Sequence, residues 1–225
     1  MIDYKGFTLS KIKEQQYSHL LLLVFWPIYA IAFYTLELGL PGRIYFPVES
    51  VLDAYIPFCE WFFIPYLFWF LYLAGMVVYG CLFDSFAFRR YMYFIMVSYT
   101  VTIFIYVLFP TCQNLRPAAF DRDNILTRMI AGFYEYDTNT NVCPSIHVLG
   151  SFGVLYGAWH TKHFSTKFWR GTLSLVTVVV SMSTVFMKQH SVIDVFAALV
   201  LCVVTIPVCH VLERNALLKS EKIKA

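Results

Sequence analysis

The chain of 225 residues is far more apolar than a water-soluble domain, with 59% hydrophobic, 19% aromatic and only 14% charged residues. Its net charge of +3 follows from membrane orientation, described below, and does not indicate a nucleic-acid surface. The composition therefore excludes an ordinary soluble domain and predicts an all-α, polytopic membrane protein.

Six apolar runs are long enough, at roughly 20 residues each, to cross about 30 Å of hydrocarbon as helices. They cover residues 19–38, 57–80, 91–110, 144–160, 171–187 and 191–211. Polar and small residues dilute the fourth and fifth runs, but small residues such as Gly153 and Gly157 suit close helix packing in lipid. We expect a single integral membrane domain over residues 1–225, a six-helix bundle, because no linker, charge block or repeat divides the chain.

The basic residues predict the orientation of this bundle. With a cytoplasmic N-terminus, twelve basic residues face the cytoplasm and five face the other side. The twelve are Lys5, Lys11, Lys13, Arg89, Arg90, Lys162, Lys167, Arg170, Arg214, Lys219, Lys222 and Lys224, and the five are Arg43, Arg116, Arg122, Arg128 and Lys188. This bias predicts a multi-pass protein of the cell membrane with both termini in the cytoplasm. A signal peptide cleaved after Ala32 is the competing interpretation, but the apolar run continues to Leu38.

The segment between the third and fourth spans, residues 111–143, has a helical pattern of its own. Apolar residues recur at helical spacing at Ile125, Leu126, Met129, Ile130 and Phe133. The spacing predicts a short amphipathic helix, which either lies on the outer leaflet and guards lipid access or packs on the bundle.

The first polar motif, FPTCQNLRPAAF (109–120), places Arg116 just outside the third span. A guanidinium group binds phosphate oxygens bidentately, although an Arg at this depth also serves as an interfacial anchor.

In the second motif, NVCPSIHVLGS (141–151), Pro144 suits the first turn of a helix. The unpaired backbone N–H groups there, together with the Ser145 hydroxyl, favour an anion such as phosphate. His147 could then give its proton to a leaving oxygen. The alternative is that Pro144 and Ser145 only cap the helix and His147 is an interfacial histidine.

The third motif, MKQHSVIDV (187–195), places His190 and Asp194 on one helical face. The carboxylate can hydrogen-bond one imidazole nitrogen and leave the other as a nucleophile. A structural contact between spans is the alternative, but ionisable residues within membranes are costly and usually functional. In the predicted topology, Arg116, His147, His190 and Asp194 all converge on the extracytoplasmic face.

Together, Arg116-Pro117, Pro144-Ser145-x-His147 and Ser183-Thr184 followed by His190 and Asp194 resemble the motifs of the type 2 phosphatidic acid phosphatase (PAP2) superfamily. The resemblance implies a metal-independent reaction, with no cofactor, through a phosphohistidine. His190 would attack phosphorus, Asp194 would orient it, and His147 would protonate the departing alcohol. Arg116 and Ser145 would hold the phosphate oxygens, and further candidates for this binding role are Ser183, Thr184 and Lys188.

Three positions depart from the family pattern. Phe109 replaces a Lys, Ile146 replaces a Gly and Thr184 replaces an Arg, so two phosphate-binding cations are missing. Lys188 either restores one positive charge or is an interfacial anchor. The variant motifs look similar to relatives of the inositol phosphorylceramide and sphingomyelin synthases and to many bacterial phosphatases.

Two enzymatic hypotheses follow, both with lipid partners. In the first, water takes the phosphate from a phospholipid or isoprenoid lipid phosphate, such as phosphatidate, phosphatidylglycerophosphate or a polyprenyl diphosphate. In the second, a lipid hydroxyl takes a headgroup phosphate from a phosphodiester. The compact chain favours hydrolysis. A transporter or scaffold would instead spread polar residues through several spans at mid-membrane depth.

The remaining reactive residues suggest little further chemistry. Cys112 and Cys143 share the outer loop and could pair, but no Cys or His spacing resembles a metal site. Glu60 either pairs with Arg116 or Lys188 or faces water at the membrane interface.

Overall fold

The computed structural model describes residues 2–38, 42–159 and 161–224, with side chains described to residue 216. Within these ranges the chain forms seven α-helices and one pair of two-residue strands. The helices are α1 (Phe25–Glu37), α2 (Phe63–Leu82), α3 (Ser85–Leu108), α4 (Ile125–Tyr136), α5 (Ile146–Ala158), α6 (Lys167–Phe186) and α7 (Val192–Lys224). Short 3-10 helices cover Leu9–Lys11, Ser18–Val24, Val51–Ala54 and Glu60–Phe62.

Five helical segments of the described chain are long and apolar enough to cross a membrane: Ser18–Glu37, Glu60–Leu82, Ser85–Leu108, Lys167–Phe186 and Val192–Ala216. The predicted fourth span, residues 144–160, is represented by α5, which is apolar but has only 13 residues. At 1.5 Å per residue, α5 is about 20 Å long. The structure is therefore that of a multi-pass membrane protein, while the count of six full-length spans is not confirmed.

Local capping explains several helix boundaries that differ from the predicted ones. Helix α3 begins at Ser85, six residues before the predicted span, because the Asp84 carboxylate accepts a hydrogen bond from Ala87 N at 3.0 Å. Helix α6 begins at Lys167 because the Thr166 hydroxyl accepts one from Trp169 N at 3.3 Å. Pro144 lies before α5 and not in its first turn, and its peptide bond with Cys143 is cis.

Helices α3 and α5 form the centre of the bundle, and two glycines let them approach closely. A Cβ added at Gly157 would lie 2.8 Å from Tyr91 Cβ, and one at Gly153 would lie 2.9 Å from Ile95 Cδ1. The small residues that dilute the predicted fourth span therefore bring its helix into close packing.

Several helix ends meet at one end of the bundle, together with the loop before α2. Phe46–Pro47 (β1) pairs in parallel with Thr111–Cys112 (β2), a short pairing that the all-α prediction lacked. Cys59 N donates to Phe186 O at 3.1 Å, which joins the start of the second span to the end of α6. Ser145 N donates to Asp194 O at 3.2 Å, which joins the starts of α5 and α7. All three predicted polar motifs lie at this end.

Candidate active site

The turn between α6 and α7 carries His190 and is fixed by backbone hydrogen bonds. Thr184 O accepts from both Gln189 N at 3.0 Å and His190 N at 3.1 Å, and Lys188 turns the chain with a φ of 55°. The Ser183 and Thr184 hydroxyls donate to Val180 O and Ser181 O within their own helix, at 2.6 and 2.8 Å. In this structure those two hydroxyls therefore form hydrogen bonds within α6. Thr184 positions His190 through its backbone carbonyl, which accepts from His190 N.

His190 and Asp194 are brought together, with His190 Nδ1 3.1 Å from Asp194 Oδ2. Both side chains are buried, and Asp194 Oδ2 also accepts from Ser191 N at 2.9 Å. The second carboxylate oxygen, Oδ1, is buried without a hydrogen-bond partner. A carboxylate at Nδ1 holds a proton on that nitrogen and leaves Nε2 with a free lone pair.

His147 lies beside His190 in the first turn of α5. The two ring centroids are 5.6 Å apart, and the His147 ring packs against Tyr66 at 4.4 Å and Trp69 at 4.3 Å. His147 Nδ1 is buried without a partner. The contact with two aromatic rings fixes the orientation of the imidazole while leaving a nitrogen available for proton transfer.

Ser145 occupies the N-cap position of α5, but its side chain makes no capping hydrogen bond. The residue is fully buried, and its hydroxyl has no partner. A purely capping role is therefore not what the geometry shows. The open hydroxyl lies instead at a helix N-terminus, which favours an anion.

Both histidines line a cavity of about 20 Å³. Its described lining contains neither Lys nor Arg and consists of Phe33, Tyr66, Tyr106, Asp137, Thr138, Thr140, Asn141, Val142, Ile146, His147, Gln189 and His190. This volume holds about one water molecule. A phosphate group can therefore bind only after some lining side chains have moved.

Arg116 lies behind this cavity and does not line it. Its guanidinium donates to Tyr134 O at 2.9 Å, to Asp137 O and to Gln189 Oε1, and it lies 4.3 Å from the centre of the Tyr134 ring. Burial lowers the pKa of Arg116, and the nearby Asp137 charge opposes that shift. The predicted phosphate ligand is thus separated from the cavity by the Gln189 side chain.

Asp137 contributes a carboxylate to the cavity. Its Oδ2 accepts from Tyr66 OH at 2.6 Å and from Gln189 Nε2 at 2.8 Å, and burial raises the pKa of Asp137. Sequence reasoning assigned no role in the site to Asp137, Tyr66 or Gln189. Only the position of Gln189 next to His190 was a usable signal, because Tyr66 comes from α2 and belongs to no motif.

Lys188 also points away from the cavity. Its ammonium group donates to Asp53 O at 2.8 Å and to Ile56 O, and the residue is 8% exposed. Burial lowers the pKa of Lys188, against the raising effect of the Asp53 charge. In this arrangement the amino group binds backbone carbonyls and does not line the cavity.

The other sequence candidates lie outside the cavity. Glu60 pairs with Arg122 at 3.3 Å and Asn124 at 3.2 Å, and not with Arg116 or Lys188. All six cysteines are free thiols, so Cys112 and Cys143 are not joined. Burial and the Asp194 charge raise the pKa of the Cys143 thiol to about 12. Among the described residues, no cluster of three or more His, Cys, Asp or Glu side chains could hold a metal ion.

Comparison with known proteins gives one match. The model of the PAP2 superfamily matches residues 88–217, more than half of the chain. The matched segment contains every sequence-predicted site residue from Arg116 to Asp194, whereas Asp53 and Tyr66 lie before it. No curated protein and no solved structure matches.

Proposed function

The chain belongs to the PAP2 superfamily, whose members are phosphatases or related phosphotransferases, and we propose from this premise that it transfers phosphate from a membrane lipid through a phosphohistidine at His190. One observation carries the proposal. His190 is held by Asp194 at 3.1 Å through Nδ1, and the second histidine, His147, lines the same cavity.

In the first step, the Nε2 lone pair of His190 attacks phosphorus while the bond from phosphorus to the leaving oxygen breaks. His147, in its protonated form, gives its proton to that oxygen and becomes neutral. Asp194 stabilises the positive charge that develops on the His190 ring. The aromatic rings of Tyr66 and Trp69 keep His147 beside the leaving group.

The phosphate oxygens need hydrogen-bond donors in the transition state. Ser145 offers an unpaired hydroxyl at the N-terminus of α5. Arg116 adds a positive charge when Gln189 releases it from their hydrogen bond. Ser183, Thr184 and Lys188, whose polar groups are occupied elsewhere, support the turn that holds His190 and do not bind phosphate in this scheme.

In the second step, an oxygen nucleophile attacks the phosphohistidine, passes its proton to neutral His147, and displaces His190 with the P–N electron pair. Water as the acceptor makes the protein a lipid phosphatase acting on a monoester or diphosphate. This version requires no binding site for a second lipid.

A lipid hydroxyl as the acceptor makes the protein a phosphotransferase with a phosphodiester donor. One observation favours this second candidate: the described lining of the cavity has the Asp137 carboxylate and no Lys or Arg. Such a lining repels a doubly charged phosphate monoester more than a singly charged diester.

The catalytic end of the bundle faces the extracytoplasmic side in this proposal, with both termini in the cytoplasm, as the positive-inside bias predicts. Tyr136 lies at that end of the chain fold and is 86% exposed. We expect Tyr136→Cys to react with a membrane-impermeant thiol reagent in intact cells, in a background where Cys59, Cys112 and Cys143 are replaced by Ser. The background protein without Tyr136→Cys should not react. Labelling that occurs only after the cells are broken would indicate the opposite orientation, with this end of the bundle in the cytoplasm.

Helix α4 guards lipid access in the same proposal. It buries Ile130 against the bundle and exposes Ile125 (75%) and Met129 (49%). We expect replacement of Ile125 and Met129 by Ser to slow turnover of a lipid phosphate while sparing a water-soluble aryl phosphate. Equal losses on both substrates would contradict a guarding role.

The decisive experiment compares two histidine variants of the purified protein on a panel of lipid phosphates and phosphodiesters. Free phosphate and new lipids are followed with and without diacylglycerol or ceramide, and with and without EDTA. We expect His190→Ala to lose all turnover and all phosphohistidine. The control His163→Ala, which alters an exposed histidine bound to Tyr79, should keep both. Turnover by His190→Ala would disprove the mechanism.

A further inference from the structure

The turn that carries His190 is held by a loop from outside the segment that matches the family model. This loop, residues 50–56, includes the 3-10 helix Val51–Ala54, which contains Asp53. Asp53 is only 2% exposed, although it is a carboxylate in an otherwise exposed stretch. A buried carboxylate is costly unless it is hydrogen-bonded, so its partners indicate what it is for.

Both oxygens of Asp53 are engaged at the start of α7. Oδ2 accepts from the Ser191 hydroxyl at 2.6 Å and from Ser50 N at 2.7 Å, and Oδ1 accepts from Val192 N at 2.9 Å. A carboxylate at a helix N-terminus satisfies free N–H groups and interacts favourably with the helix dipole. Asp53 therefore caps α7 from a loop 138 residues earlier in the chain.

Lys188 fixes the same loop from the other side of His190. Its ammonium group donates to Asp53 O and to Ile56 O. Lys188 precedes His190 by two residues, and Ser191 directly follows His190. The catalytic histidine is thus bracketed by two residues that both bind loop 50–56.

Asp53 also leaves Asp194 free to act on His190. Asp194 Oδ2 already accepts from His190 Nδ1 and from Ser191 N. Without the Asp53 carboxylate, the Ser191 hydroxyl and Val192 N would need another acceptor, and Asp194 is the carboxylate in the first turn of the same helix. Rotation of the Asp194 carboxylate toward these donors would weaken its hold on the imidazole.

We propose that Asp53 is a positioning residue, which fixes His190 and reserves Asp194 for it by capping α7 through Ser191 and Val192. The inference rests on the proposed function, because it takes His190 as the nucleophile. It adds to the site a residue that lies outside the family-matched segment and belongs to none of the sequence motifs.

The test compares Asp53→Asn with Glu49→Gln. The Asn side chain has nearly the same shape but cannot accept hydrogen bonds through its nitrogen, so it loses part of the cap. Glu49 is the matched control, since it is an acidic residue next to this loop. Within the described part of the chain, its carboxylate accepts one hydrogen bond, from Asn114 N at 3.2 Å. The measurements are the single-turnover rate of phosphohistidine formation at saturating lipid phosphate, the KM, and the Tm in detergent.

We expect Asp53→Asn to form phosphohistidine on the order of 10²-fold more slowly, because small misplacements of a reacting group cost that much. Its KM should stay within about twofold of the wild-type value and its Tm within a few degrees, and Glu49→Gln should match wild type. Ser191→Ala, which removes one partner of Asp53, should slow the same step by a smaller factor.

Formation at the wild-type rate in Asp53→Asn would overturn the inference, as would a defect confined to KM or Tm. If Asp53→Asn fails to fold, an unchanged rate in Ser191→Ala overturns it and a selective loss of rate supports it. If wild type and Glu49→Gln both form no phosphohistidine, the proposed function fails and the inference fails with it. The two failures are therefore distinguishable.

Discussion

The two ends of the helix bundle both bury charged side chains, but they treat them differently. At the end opposite His190, Arg90 and Glu213 form an ion pair at 3.2 Å, and Tyr156 OH donates to the same carboxylate at 2.6 Å. The Arg90 guanidinium also lies 4.5 Å from the centre of the Tyr156 ring. At the His190 end, the Ser145 hydroxyl, His147 Nδ1 and Asp194 Oδ1 are buried without partners.

In the proposed function, this difference separates the Arg90 cluster, which is structural, from the cluster around His190, which is reactive. Buried polar atoms are normally hydrogen-bonded, so a group of unpaired ones calls for an explanation. The Arg90 cluster directs its charges at one another. The cluster around His190 keeps hydrogen-bonding capacity that a phosphate group and its leaving oxygen can use. The following predictions test this contrast, starting with the largest expected effect.

Replacing Asp194 by Asn should lower the rate of phosphohistidine formation by roughly 10⁴-fold, because an amide can hold the imidazole in the wrong tautomer. The fold should survive, since the side chains have the same shape. Single-turnover measurement with a lipid phosphate checks the rate, and Tm in detergent checks the fold. A decrease in this rate of less than about tenfold would indicate that Asp194 has only a structural role.

His147→Asn should lower turnover of an alkyl lipid phosphate by about 10²–10⁴-fold, the usual contribution of a general acid. The rate of the first step with an aryl phosphate should decrease much less, since a phenolate leaves without a proton. Comparing the burst of phenol release with the steady rate of lipid turnover measures the difference. Equal losses on both substrates in the first step would argue against an acid role.

Glu213→Gln breaks the polar cluster at the opposite end. We expect activity per folded molecule within about twofold of wild type, together with a loss of about 1.5–3 kcal/mol in unfolding free energy, the range for hydrogen bonds to charged groups. Thermal unfolding in detergent and initial rates of lipid turnover measure the two quantities. A large fall in activity at unchanged stability would mean that the two ends are coupled.

Two glycine substitutions test the helix packing that joins the ends. Gly157→Ala places a Cβ 2.8 Å from Tyr91 Cβ and should destabilise the protein by about 1–3 kcal/mol. Gly171→Ala, in α6, meets nothing within 4 Å and should stabilise it by up to about 1 kcal/mol through helix propensity. We expect the Tm to fall in Gly157→Ala and to rise in Gly171→Ala. Shifts of the same sign and size would contradict close packing of α3 on α5.

The sequence predicts those parts of the site that depend on local spacing. His190 and Asp194 are four residues apart, and their side chains do meet, at 3.1 Å. The predicted shared helical face is not what joins them, because His190 lies in the turn before α7 and only Asp194 lies in that helix. Asp53 and Tyr66 have no such signal, because their contacts with α7 and with Asp137 depend on tertiary packing. Lys188 shows a different limit: its charge is visible in the sequence, but the direction of its side chain is set by a turn with positive φ.

The fold is predicted to a similar extent, and for similar reasons. Hydrophobicity marks where apolar helices occur, whereas helix ends depend on single capping side chains such as Asp84 and Thr166. The run at 144–160 has the composition of a span, yet Pro144 and Ser145 precede its helix, which ends at Ala158. Composition therefore indicates how many apolar segments exist better than how long each helix is.

In the proposed function, the short length of α5 affects how a lipid phosphate reaches His147. A helix of about 20 Å falls about 10 Å short of the hydrocarbon thickness. If the Ala158 end of α5 lies at its own membrane surface, either the histidine-bearing end lies below the level of the headgroups or the bilayer becomes thinner around the helix. In both cases the phosphorus atom and the catalytic ring meet at a depth that lipids in an unperturbed leaflet do not offer. Hydrophobic mismatch at one helix then becomes a determinant of turnover, and bilayers of shorter acyl chains should support faster reaction.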